Sequence, residues 1–161
     1  MRGNPLTLIG PELKPGDKAP DFKLVDNSLK DVRLADTGGQ VRIISVVPSL
    51  DTPVCDAQTK RFNEEAAKLP GVDIYTVSMD LPFAQARWCA AAAVQHTTLS
   101  AHKSEDFGRA YGVLIQQWRL LQRAVFVVDR DGRIVYADYV PDQTAEPDYA
   151  VAIAAVKATT T

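Results

Sequence analysis

Val41-Arg42-Ile43-Ile44-Ser45-Val46-Val47-Pro48-Ser49-Leu50-Asp51-Thr52-Pro53-Val54-Cys55 is the stretch whose reading decides the fold. Val41 to Val47 is β-branched nearly throughout, which suits a central strand covered on both faces. From Val54 to Leu69 the pattern turns amphipathic, with Cys55, Gln58, Phe62, Ala66 and Leu69 recurring at helical spacing. Thr52 suits the N-cap of that helix, its hydroxyl accepting from a free amide of the first turn. Pro53 suits the first helical position, where its missing N–H costs nothing. Cys55 then falls at the third position, among amides that have no partner inside the helix. Those amides and the helix dipole favour an anionic sulfur.

Working outward, Pro70-Gly71 stops the helix and Val72 to Met79 forms the next strand. Asp80 is expected to cap a helix from Leu81 to about Ala93, with Cys89 near its end. Thr97 to Ser100 reads as a short strand and Glu105 to Tyr111 as a short helix. Val113 to Gln122 is ambiguous between elements. Arg123 to Asp129 is a strand, Asp131-Gly132 a hairpin turn, and Arg133 to Tyr139 its antiparallel partner. A last helix starts at Pro147-Asp148 and ends near Lys157, with Ala158 to Thr161 fraying. Toward the N-terminus, Leu6 to Gly10, Phe22 to Val25 and Val32 to Leu34 are short strands. Pro11 to Pro20 connects the first two, and Asp36 to Gln40 is a glycine turn. The class is α/β: a mixed central sheet covered by helices, with an N-terminal β extension.

The chain has 161 residues, which reads as a single domain over residues 1–161, with a net charge of −2. That balance offers nothing to nucleic acid or to an anionic membrane. No apolar run approaches the roughly 20 residues of a membrane span. Met1 to Gly10 lacks the apolar core of a signal peptide, so a cytosolic location is the expectation. The two cysteines, Cys55 and Cys89, are too few for a disulfide framework and in a reducing compartment read as catalytic or redox-active. With His96 and His102 they lack the short spacings of a zinc site. No metal or organic cofactor is expected.

Pro48-x-x-x-Thr52-x-x-Cys55 resembles the active-site signature of peroxiredoxins, and the longer Pro48 to Cys55 stretch resembles their thiol peroxidase subfamily, of the atypical two-cysteine type. The likeness takes in Gly16 to Phe22, Asp80 to Gln85, Tyr111-Gly112-Val113, Arg123 to Val127 and Glu146 to Tyr149, in that order. It implies a thioredoxin-like fold and reduction of hydroperoxides at Cys55, with Cys89 resolving the product to a disulfide. Thioredoxin is the implied electron donor, and the implied assembly is a homodimer. By motif position, Pro48 shields the sulfur, Thr52 hydrogen-bonds peroxide and thiolate, and Arg123 is the cationic partner. A redox relay to a protein partner, or a binding module without turnover, are the competing readings.

Elementary chemistry runs parallel to the resemblance. A free thiol titrates near about 8.5, so little is ionised at neutral pH, and the thiolate is the nucleophile. Asp51 and Asp56 flank Cys55 and oppose its charge; the free amides and a close guanidinium must outweigh them. Donors from Thr52, the Cys55 amide and Arg123 can stabilise charge developing on the leaving oxygen. A disulfide needs Cα atoms within about 7 Å, so one or both cysteine segments must open locally in each cycle. Two features depart from the family pattern. Ala90 to Ala93 follows Cys89 where glycine is usual, and each such change favours helix by about 1 kcal/mol. Gln116-Gln117-Trp118 replaces a glycine-containing loop. Leu50, Val54, Met79, Trp88 and Leu120 are read as ordinary core, with an apolar substrate surface as the alternative, Arg87 as a solvated helix charge, and His96 and His102 as loop residues.

Overall fold

The computed structural model describes residues 3–94 and 97–160. Strands β1 (Leu8–Ile9), β2 (Lys23–Val25), β3 (Asp31–Arg33) and β4 (Val41–Val46) lead into helix α1 (Pro53–Ala66). Then come β5 (Val72–Ser78), α2 (Pro82–Ala92), β6 (Thr97–Ser100), α3 (Asp106–Ala110), β7 (Leu114–Ile115) and β8 (Leu120–Leu121). The chain closes with β9 (Ala124–Val128), β10 (Ile134–Tyr139) and α4 (Tyr149–Thr160). His96 lies outside the described residues.

Among the described residues the main sheet has seven strands, in the order β10-β9-β4-β5-β6-β2-β3. β4 runs parallel to β5 and antiparallel to β9, and every residue of it is buried. Its side chains alternate between two cores, as a strand's period of two requires. Ile44 and Val46 join Leu99, Phe107, Tyr111 and Phe126 on one face. Val41 and Ile43 join Phe62 of α1 and Ala152, Ile153 and Val156 of α4 on the other. This is the mixed, helix-flanked sheet that the periodicity called for. The register does the rest. Val46 pairs with Val77 on one side and with Ala124 on the other, so the ends of β4 and β5 and the start of β9 meet at one edge of the sheet.

Several local expectations change. The ambiguous Val113 to Gln122 stretch is a tight hairpin, β7 and β8, with Arg119 at φ 52° making the return; β1 adds to it as a third strand. Gln117 helps to hold β1 there, its side-chain oxygen accepting from the Thr7 amide at 3.0 Å and its nitrogen donating to the Thr7 hydroxyl at 3.1 Å. A 3-10 turn over Leu34–Thr37 replaces the end of the third expected strand. The Asp36 carboxylate accepts from the Arg33 amide at 2.9 Å and closes the chain there. α1 ends at Ala66, short of Pro70. α4 runs to Thr160 instead of fraying after Lys157, with the Thr159 and Thr160 hydroxyls donating to carbonyls of the previous turn. No helix among the described residues is long and apolar enough to cross a membrane.

Candidate active site

Cys55 sits in the first turn of α1, immediately beyond the edge where β4, β5 and β9 converge. Thr52 takes the N-cap position in extended conformation (φ −107°, ψ 146°) and Pro53 opens the helix. The Asp56 amide donating to the Thr52 carbonyl at 2.9 Å is the bond that starts it. The Cys55 amide therefore has no intrahelical acceptor. The expected capping bond from the Thr52 side chain does not form: its hydroxyl donates back to the Ser49 carbonyl at 3.1 Å. That bond spends the hydroxyl's hydrogen and leaves its lone pairs unspent, but no first-turn amide reaches them. Thr59 donates its hydroxyl to the Cys55 carbonyl at 2.8 Å, a back-bond of the kind that weakens and bends a helix turn.

The Cys55 side chain is fully buried, against Val47 and Leu50 with Trp88 packed over them. What distinguishes it from an inert core cysteine is Arg123. That residue precedes β9, and the pairing of Ala124 with Val46 brings it beside the end of β4, 68 positions away from Cys55 in sequence. Its Nη2 lies 3.3 Å from Sγ of Cys55. The guanidinium is 1% exposed, and among the described residues no carboxylate pairs with it. Its remaining donors go to neutral oxygens: Nη1 to Gln58 Oε1 at 2.8 Å, Nη2 and Nε to the Gln143 carbonyl at 2.8 and 3.2 Å. Gln58 is held in turn, donating to the Ser45 hydroxyl at 2.7 Å. A buried cation with only neutral partners is costly. The sulfur is the group that can supply the opposite charge.

Gln143 is a site residue that sequence reasoning missed. Besides its carbonyl, its side-chain oxygen accepts from the Arg123 amide at 3.0 Å, and its nitrogen donates to Gln122. It lies in a polar connection between β10 and α4, where one glutamine among charged and small residues carries no local signal. The turn that presents it is pinned by Asp142, whose carboxylate accepts from the Thr144 amide and hydroxyl at 2.9 and 2.8 Å. Those bonds hold the Asp142 carboxyl below its ordinary range.

Asp80 also departs from expectation. α2 begins at Pro82 with Leu81 at its cap position and no side-chain cap. The Asp80 carboxylate faces the cysteine loop instead, accepting from the Ser49 hydroxyl (2.8 Å), the Leu50 amide (2.8 Å) and the Ser78 hydroxyl (2.7 Å). Two strands ending side by side make this crossing shorter than the reach to the helix amides. Asp56, expected to oppose the thiolate, has its charge engaged elsewhere: Lys60 Nζ at 2.8 Å and Trp88 Nε1 at 3.0 Å.

A cleft of about 440 Å³ opens beside the site. Pro48, Thr52, Val54, Trp118, Leu120 and Arg123 contribute to its wall. Val54 and Leu120, read as core, are therefore partly cleft lining, and Trp118 is 41% exposed. Cys89 stands apart. It is half-buried in the last turn of α2, its Sγ 3.6 Å from the Thr98 hydroxyl. Thr98 donates its own hydrogen to Asn27 Oδ1 at 2.9 Å, so the thiol is the donor to Thr98. Both cysteines are free. Arg87 is exposed, as expected of a solvated charge, while His102 Nδ1 is 2.9 Å from the Ser100 hydroxyl.

The Redoxin family matches residues 14–153. The chain belongs to the redoxin family. Within that family it is similar to the thiol peroxidase of Bacillus subtilis (strain 168), 57% identical across 98% of this chain and 95% of the relative. The thiol peroxidase of Staphylococcus aureus (strain MRSA252) is 50% identical across 98% of this chain and 96% of its own length. Among solved structures, a peroxiredoxin-like protein from Aquifex aeolicus superposes with a TM-score of 0.90 at 45% identity, covering 98% of this chain and 94% of that one. A thiol peroxidase from Chromobacterium violaceum shares the fold, with a TM-score of 0.89 at 20% identity, covering 97% and 93%. This redoxin is thus a thioredoxin-like protein of the peroxiredoxin type, and its near relatives are thiol peroxidases.

Proposed function

We propose that this chain, acting as one domain, is a thiol-dependent peroxidase whose nucleophile is Cys55 and whose resolving thiol is Cys89. The observation that carries the assignment is the Arg123 guanidinium, buried without a carboxylate and 3.3 Å from the Cys55 sulfur. The thiolate attacks one oxygen of a hydroperoxide, a sulfur–oxygen bond forms and the O–O bond breaks. The displaced oxygen leaves as alkoxide or hydroxide and takes a proton to become alcohol or water; Cys55 is left as a sulfenic acid. Arg123 and the free Cys55 amide face the charge that develops on the departing oxygen. Thr52, with its own hydrogen on Ser49, keeps lone pairs to accept from a hydroperoxide O–H. Pro48 shields the sulfur from the cleft side. The apolar wall of Val54, Trp118 and Leu120 fits the organic part of an alkyl hydroperoxide.

Cys89 then closes a disulfide with Cys55, and an external dithiol of the thioredoxin class exchanges it away. The reducing chemistry suits a cytosolic protein, and a homodimer is the assembly that the family resemblance implies. The test is peroxide consumption coupled to thioredoxin, its reductase and NADPH, with masses mapped after one equivalent of peroxide. Cys55→Ser is expected to reduce consumption to background. Cys89→Ser is expected to retain one stoichiometric turnover and lose the coupled reaction. Coupled turnover in Cys89→Ser equal to the parent's overturns its resolving role.

A further inference from the structure

We infer that Trp88 and Asp56, the residues adjoining the two cysteines, form a latch that sets the rate at which Cys89 reaches the oxidised Cys55. This rests on the reading that Cys89 resolves. Trp88 precedes Cys89 on α2, and Asp56 follows Cys55 on α1. The indole Nε1 donates to Asp56 Oδ1 at 3.0 Å, and the ring packs against the Val47, Leu50 and Cys55 cluster. Neighbouring residues of an α-helix point about 100° apart. While Trp88 faces Cys55, Cys89 is turned away toward β6, where its sulfur contacts Thr98. The resolving sulfur cannot approach until Trp88 has left.

The covalent step is balanced within the chain. The Cys89 sulfur bonds to the sulfenic sulfur, the S–O bond breaks, and the thiol proton leaves with the hydroxide as water. No external redox partner enters at this stage. The latch therefore acts on access alone. Trp88 and Asp56 are positioning residues, and the hydrogen bond between them is a charge-assisted one that must break before the disulfide forms. The same delay fixes how long the sulfenic acid stays open to a second peroxide, which carries it to the sulfinic state.

Rapid quench with thiol alkylation and mass analysis separates sulfenic acid formation, which depends on peroxide concentration, from disulfide formation, which does not. Trp88→Phe keeps an aromatic seal and removes the donor; Asp56→Ala removes the acceptor. Each is expected to speed the disulfide phase about fivefold, the double variant no further than either single, and sulfinic product at excess peroxide to fall by about the same factor. A disulfide phase within twofold of the parent, a slower one, or additive effects in the double variant would overturn the latch. Should Trp88→Phe fail to fold, the sulfinic yield of Asp56→Ala decides alone. A parent protein that forms no Cys55–Cys89 disulfide fails earlier and differently, at the assignment of Cys89 itself.

Discussion

Cys55 and Cys89 sit in contrasting surroundings. The first is sealed in the core, with a guanidinium on its sulfur and a glutamine on either side of that guanidinium, one of them anchored to the central strand. The second is half-exposed in the last turn of a short helix, with one hydroxyl for a partner and a left-handed residue, Ala93 at φ 54°, closing the helix behind it. Electrostatic catalysis gains from donors already in place when charge develops. Under the proposed function Cys89 has the opposite need, since a resolving thiol must leave its resting position in every cycle. One half-site is thus rigidly bonded and the other loosely, and the two are tied together at Asp80 and at the Trp88–Asp56 bond.

The heaviest blow to the rigid half is Arg123→Lys. An ammonium keeps the charge but cannot form the fork to Gln58, Gln143 and the sulfur at once. The rate of sulfenic acid formation is expected to fall about 100-fold, read by stopped flow at several peroxide concentrations. A change under threefold would mean that the guanidinium is structural only.

Two glycine substitutions sharpen the loose half, and they carry opposite signs. Ala90→Gly, at an exposed position inside α2, is expected to cost about 1 kcal/mol in urea unfolding and to quicken disulfide formation. Ala93→Gly places glycine where the backbone is already left-handed and is expected to stabilise by about 0.5–1 kcal/mol. A disulfide phase in Ala90→Gly no faster than the parent's would show that the helix end has no part in opening.

The smallest effect concerns pH. The Asp142 carboxyl is held below its ordinary range by the Thr144 bonds, so the turn's contribution is complete above the unfolded value, near 3.8, and is lost as pH falls through the lower folded value. Asp142→Asn is expected to flatten the acid side of the stability curve by slightly lowering neutral stability, while stability below the folded value stays as in the parent. An unchanged acid limb would remove Asp142 from the support of Gln143.

Much of this was legible in one dimension. A β-branched run followed by Thr52-Pro53-Val54-Cys55 specifies strand, turn and helix start through local sterics and capping chemistry alone, and the sulfur's place at the third helical position follows. Alternation and helical spacing likewise located most strands and α1 before any contact was known. Where local rules failed, a partner distant in sequence had the better offer. Asp80 follows a strand end and precedes a proline, the pattern of a cap, yet its carboxylate crosses to Ser49 and Leu50 because β5 ends beside β4.

The residue types and their spacing therefore determined the α/β class, the candidate cysteine's place and the helix that presents it, because those depend on backbone preferences within a few residues. The sheet register decided the rest. It brought Arg123 to the sulfur, Gln143 to Arg123 and Trp88 over the site, since a pairing between strands acts at separations that no short window of sequence contains.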